Sequence, residues 1–230
     1  MPENLRTVVV IDYQNLHLVA HRHFAPSSPI HQCRISPGMF ARRLISVRNA
    51  ARHQPAELTE VQVFRGLPEP EYNLLDYQRN LAQQQQWERD SRVHITHLPL
   101  RYRVLSNNFS TGPGPGRVEP EVEVREKGID VLCALAVVSA AQRDDIDLVI
   151  VASHDSDLDP AIAAVQRSGN ARVEGMQWVG GRGEPRGHLH GDSSFGRLWC
   201  TRLGPDDFHA SRDPVDYTNP CRITYPEGAA

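Results

Sequence analysis

The sequence predicts an α/β fold in which a mostly parallel sheet is covered by helices on both faces, and three observations carry that expectation. Apolar β-branched runs alternate with helical periodicities along the chain, which is the pattern of strands joined by helical crossovers. One of those runs, TVVVI (7–11), is apolar without alternation, as in a buried parallel strand. At 230 residues, 40% of them apolar, the chain is long enough to enclose one full core, and it shows no internal repeat and no sign of a second core.

The elements follow in order. TVVVI stops at Asp12, as a buried strand does at its carboxyl end. Phe40, Leu44, Val47 and Ala51 recur at i, i+4, i+7 and i+11, which predicts an amphipathic helix with Arg48 and Arg52 on another face. VQVF (61–64) reads as a strand, Glu71 to Asp90 as a Gln- and Arg-rich helix, and VHITHL (93–98) as a third strand. Residues 106–120, SNNFSTGPGPGRVEP, are turn formers, and a loop of that length predicts a functional flap. KGIDVLCALAVVSAA reads as an apolar helix, and IDLVIVAS as the strongest strand. DLDPAIAAVQRSG reads as a helix with proline in its first turn and glycine near its end. ARVEGMQWV reads as another strand, followed by a Gly/Arg-rich loop over 180–194. One domain over 1–203 is expected, with 204–230 as a C-terminal extension.

Composition narrows the function. No apolar run approaches the ~20 residues that span a bilayer, so no membrane partner is expected. The N-terminus lacks the zones of a secretory signal, which predicts a cytoplasmic protein. Cys33, Cys133, Cys200 and Cys221 form no CxxC pair, against a zinc knuckle or a redox motif, and read as structural thiols. A net charge of -3 and a pI near 6.4 are unlike those of a DNA-coating protein. Among 25 basic residues, Lys127 is the single lysine.

The informative pattern is acidic. In open parallel sheets, functional groups gather beyond the carboxyl ends of the strands. VVVIDYQNL places Asp12 at such a tip, with Asn15 a helical turn later, and SHDSD places Asp155 and Asp157 there, after Ser153. In EKGIDVLCALAVV, Lys127 and Asp130 are spaced to share a helix face. Asp130 also continues a stripe through Ala134, Val137 and Ala141 that is expected to face the core. A carboxylate on a buried face demands a partner. Convergence of Asp12, Asp130, Asp155 and Asp157 would raise their pKa values unless hard cations intervene, and oxygen-only ligation points to Mg²⁺ or Mn²⁺. Such ions activate water and stabilise the leaving oxygen of a phosphodiester, which is nuclease chemistry.

VVVIDYQNL, EKGIDV and IVASHDSDLDP resemble the three signature segments of the NYN domain, a branch of the PIN-like metal-dependent ribonucleases, over roughly Thr7 to Val179. The resemblance implies a Rossmann-like PIN-type fold and cleavage of an RNA substrate with Mg²⁺ or Mn²⁺. It assigns the ligands to Asp12, Asp130, Asp155 and Asp157, and supporting roles to Asn15 and Ser153. Tyr13 stands where the family has a small residue and His154 where it has glycine, so a catalytically silent RNA-binding or scaffold protein is the runner-up. A phosphatase or phosphotransfer domain would place a second aspartate where Gln14 stands.

Simpler readings compete. Asp12 and Asp157 fit helix N-caps, Asp159 an ordinary first-turn acid, and Asn15 a surface polar residue. Lys127 is either a solvated lysine or a compact charge suited to phosphate. The pairs His21/His23 and His188/His190 lack a third spaced ligand, and Trp178 and Trp199 read as core. His154 contacts substrate or points to solvent, and Arg182 and Arg186 either track an RNA backbone or form a solvated turn. No recognition module is visible, so substrate selection falls to loops, a second copy of the chain or a protein partner.

Overall fold

The computed structural model describes residues 4–106, 121–181 and 187–219. The chain is an α/β domain of Rossmann-like build around a six-stranded sheet, β1 (Leu5–Asp12), β2 (Ala56–Leu67), β3 (Val93–Pro99), β6 (Leu148–Ala152), β7 (Arg172–Trp178) and β8 (Cys200–Leu203). The strand order is β3-β2-β1-β6-β7-β8 and every pairing is parallel. The chain therefore builds outward from β1 on one side, then returns to β1's other edge and builds outward again.

Alternation on β1 divides the core in two. Val9 and Ile11 pack with α1 (Tyr13–Phe24), α2 (Pro37–Ala51) and α6 (Pro205–Ala210) on one face. Val8 and Val10 pack with α4 (Ile129–Ala141) and α5 (Asp159–Ser168) on the other. All four side chains are at most 1% exposed, which is why the run lacks a polar alternation. α3 (Pro70–Trp87) contributes Trp87 to the first core.

Helix boundaries follow local chemistry. Ser36 caps α2 by accepting from the Met39 N–H, with Pro37 in the first turn. α5 carries Pro160 in its first turn and ends at Gly169, whose φ of +70° is open to glycine at no steric cost. Phe40 and Leu44 are buried as their periodicity predicts.

Three expectations are corrected. Arg48 is not on another face of α2 but continues the buried row four residues after Leu44, where Glu174 on β7 receives it in two parallel hydrogen bonds of 2.8 and 2.9 Å. Arg52 adds a longer contact to the same carboxylate at 3.6 Å. Second, residues 204–219, read as an extension, fold back. Phe208 of α6 is buried in the first core beside Phe24 and Trp178, and the Asp213 carboxylate accepts from Trp87 Nε1 and from the Tyr217 hydroxyl. Third, Trp178 is core but Trp199 is 40% exposed, with the Arg52 guanidinium over its ring.

An antiparallel pair that the sequence reading does not foresee, β4 (Arg101–Ser106) and β5 (Glu121–Arg125), flanks the expected flap. Residues 107–120 of that flap lie outside the described residues. Among the described residues, Cys33, Cys133 and Cys200 are free thiols, and no helix is long and apolar enough to cross a membrane.

The Arg48/Glu174 pair gives a stability prediction. Glu174→Gln leaves a guanidinium buried without its counter-charge and is expected to cost about 3–5 kcal/mol. Replacing both partners with apolar residues, Arg48→Met with Glu174→Leu, is expected to recover most of that loss. Urea midpoints at unchanged slope measure both.

Candidate active site

The site lies where the sheet order reverses. β1 and β6 are adjacent and parallel, Ile11 pairing with Ala152, and chain leaves the two strands toward opposite sides of the sheet. A crevice at the carboxyl end of such a switch point is where open α/β sheets bind ligands.

Asp12 is the last residue of β1 and the N-cap of α1, its Oδ1 accepting from the Asn15 N–H at 3.1 Å. Ser153 follows β6, and its hydroxyl donates to Asp12 Oδ2 at 3.4 Å while accepting from the Asp155 N–H at 3.1 Å. Asn15 Oδ1 accepts from the His154 N–H at 2.8 Å. The two strand tips are thus tied through Asp12, Asn15 and Ser153. Asp155 caps the following 3-10 turn, its Oδ1 accepting from the Asp157 N–H at 3.0 Å.

A further acid completes the group. Glu126 lies between β5 and α4 and accepts a short hydrogen bond from the Gly66 N–H at the end of β2. Burial, then the charges of Glu126 and Asp155, push the Asp12 carboxyl up to about 6, against the pull of the Asn15 N–H and Ser153 hydroxyl. Burial also raises Glu126, and the nearby charge of Asp130 adds to it. Cys133, on the inner face of α4, feels Asp12, Asp130 and Glu126 as well. Burial first, then those charges, hold its thiol protonated, so the donors offered here are carboxylate oxygens.

The structure brings Asp12, Asn15, Ser153 and Asp155 together, with Asp130 in the field of Glu126. It corrects other placements. Asp157 is exposed on its turn and meets Asp155 only through its backbone N–H, because Asp155, rather than Asp157, does the capping. Asp130 is half-buried beside the inner stripe of α4, which runs through Ile129, Cys133 and Val137. Lys127 does not share a helix face with Asp130. Gly128, at φ +90°, breaks the helical path between them, and Lys127 is exposed near Arg101, Tyr102, Arg103 and Arg125. His154 does not point to solvent. It is buried, its Nε2 accepts from the Trp178 N–H at 3.2 Å, and burial first pushes its pKa down to about 4. Arg182 and Arg186 lie outside the described residues.

Glu126 is the residue that sequence reasoning passed over. It stands four positions before Asp130, but without Gly66 beside it in space it reads as one more solvated charge.

Among the described residues, no three His, Cys, Asp or Glu side chains close into a ready-made metal-ligand group. Like charges without a cation keep apart, and Asp12 and Asp155 each commit an oxygen to a helix N-terminus. The donor set still fits a hard cation. Mg²⁺ keeps several waters and is commonly held by only one or two carboxylates plus substrate phosphates.

No protein-family model matches the chain, and no curated protein matches it. Among solved structures, a protein of unknown function from Vibrio parahaemolyticus is 14% identical, with 90% of this chain and 98% of that one covered at a TM-score of 0.45.

Asp12 generates a pH prediction. Its folded pKa lies above the unfolded value, so the stability it contributes as a neutral acid is present below about pH 4 and lost as pH rises through about 6. Asp12→Asn keeps an acceptor for the Asn15 N–H without the charge. In metal-free buffer it is expected to match the wild type below pH 4 and to exceed it by about 1–3 kcal/mol above pH 6. Taking the difference between the two curves cancels the titration of His17, His97 and His154. Burial pushes each of those to about 4, and they act with the opposite sign in the same window.

Proposed function

We propose that the chain is a metal-dependent endoribonuclease of the NYN, PIN-like kind, with its site in the crevice between the tips of β1 and β6. The observation that carries this reading is Asp12, a carboxylate buried at the switch point and pushed up to about 6 by burial and by Glu126 and Asp155. An arrangement that penalises its own negative charge is suited to a bound cation. The residues that would hold Mg²⁺ or Mn²⁺ are Asp12 and Asp155, with Glu126 and Asp130 adding negative charge nearby. Bound there, such an ion supplies Lewis-acid polarisation of a phosphodiester and lowers the pKa of an attacking water.

The chain's own residues do the rest. Ser153 steers Asp12 Oδ2 and fixes the Asp155 backbone, while Asn15 ties the loop after β6 to α1. Both are positioning residues, whose loss in comparable shells costs about 10–100-fold. The exposed cations Arg101, Arg103 and Lys127 form a basic lip beside Gly128 that suits an RNA backbone.

A second reading, an RNA-binding protein without catalysis, draws support from Tyr13 and His154, bulky side chains buried next to Asp12 and Asp155. Cleavage of labelled RNA pools with and without Mg²⁺ or Mn²⁺ separates the two. The nuclease is expected to give internal cuts that need the metal and fall at least ~100-fold in both Asp12→Asn and Asp155→Asn. Binding without cutting, in every metal condition, would establish the second reading in its place.

The lip gives its own prediction. Lys127→Ala is expected to weaken RNA binding across sequences and to lower the slope of log affinity against log salt by about 1, with little change in the turnover of bound RNA.

A further inference from the structure

On the other side of Asp12 the chain turns into a pocket that the nuclease reading does not use. Tyr13 points away from the acidic crevice, buried, with its hydroxyl donating to the Ile35 carbonyl at 3.0 Å. Over its ring, at 4.6 Å, lies the guanidinium of Arg65, which also stacks on Trp87 at 5.4 Å. Arg34 and Arg79 line the same pocket.

The charges there do not balance. Arg65 has no carboxylate within ion-pairing distance among the described residues. Among the described residues its one hydrogen bond runs to Gln83 Oε1 at 2.7 Å, and its buried Nε meets no partner. Glu126 is felt at longer range but is held by the Gly66 N–H. Arg34 donates to the His31 carbonyl at 2.7 Å and forms no ion pair among the described residues, the Asp216 carboxylate feeling its charge only at longer range. The pocket's own acid, Asp76, is engaged by Arg79 at 2.9 Å, yet Arg79 Nε is also buried and unpartnered. His17 Nε2 and Asn80 Oδ1, on side chains about nine-tenths buried, complete the set of unmet polar atoms. A buried cation without an anion is costly, and aromatic stacking covers the faces of a guanidinium while leaving its in-plane N–H edge unmet.

We propose that this pocket, built by Arg65, Arg34, Arg79, His17 and Asn80, is a binding site for a phosphate group. Guanidinium edges supply the paired donors that phosphoryl oxygens accept. The Asn80 oxygen accepts from the P–OH of a monoester or of inorganic phosphate, a proton that sulfate lacks. The site stands apart from RNA cleavage and needs no metal.

The test uses full-length protein in EDTA, with thermal melting and phosphorus NMR line broadening as readouts of added inorganic phosphate. A saturable rise in melting temperature of roughly 3 °C or more is expected, with sulfate weaker at equal concentration. Asp12→Asn is expected to bind phosphate like the wild type, so loss of nuclease activity and loss of this site are told apart. Arg34→Gln, at a half-buried position, is expected to weaken phosphate at least tenfold while remaining folded, and Arg65→Gln to abolish binding if it folds. A 5′-phosphorylated oligoribonucleotide binding more tightly than its 5′-hydroxyl twin assigns the phosphate to a nucleic-acid end. Equal binding of the two, with inorganic phosphate still held, assigns it to a small phosphorylated molecule. No stabilisation of the wild type by phosphate, or stabilisation untouched in folded Arg34→Gln, overturns the proposal.

Discussion

The burial of β1 on both faces and both edges constrains the rest of the structure. Its side chains from Val8 to Ile11 have no access to water, and its backbone is committed to β2 on one edge and β6 on the other. A polar group is tolerated only where the strand ends, and there the chain enters α1 without an intervening loop. The residue at the junction must satisfy the exposed N–H groups of a new helix while standing at the mouth of a hydrophobic sheet. Asp12 meets the first demand easily and the second at a cost in ionisation. One carboxylate thus both terminates the central strand and gives the crevice its charge.

That division explains what the sequence could reveal. β1, β6 and α5 are specified by signals within a dozen residues, namely apolar runs, an acid at a strand tip, proline in a first turn and glycine at a helix end. The meeting of Asp12, Asn15, Ser153 and Asp155 was legible too, because parallel pairing of two recognisable strands puts their tips side by side. What was not legible depends on partners far away along the chain. Arg48 looks solvated until Glu174, 126 residues later, enters its surroundings. Glu126 gains its place from Gly66, sixty residues earlier, and His154 is drawn inward by the Trp178 backbone. Lys127 departs from its expected face for a local reason, since helical spacing does not carry across a glycine whose positive φ interrupts the helix.

Two fields of opposite sign lie back to back at the end of β1. The crevice toward β6 gathers carboxylates, and the pocket toward α3 gathers guanidiniums, with adjacent residues Asp12 and Tyr13 facing one each. A net charge of -3 hides this separation, because opposite charges grouped in different clefts cancel in the sum while shaping the local potential. Arg65, felt by both Glu126 and Tyr13, stands on the boundary between them.

The return of the C-terminal segment bears on how the chain reaches this state. Phe208 fills the first core, Asp213 bridges Trp87 and Tyr217, and Arg212 makes a lone backbone bridge to Ile35. The face of the sheet begun by the first thirty-odd residues is therefore closed by some of the last. Such sequence separation raises contact order and delays the rewarding contacts behind a large loop-closure entropy. During synthesis, α1 and α2 would wait with an open apolar surface until α6 leaves the ribosome, a period in which the nascent chain is exposed to aggregation.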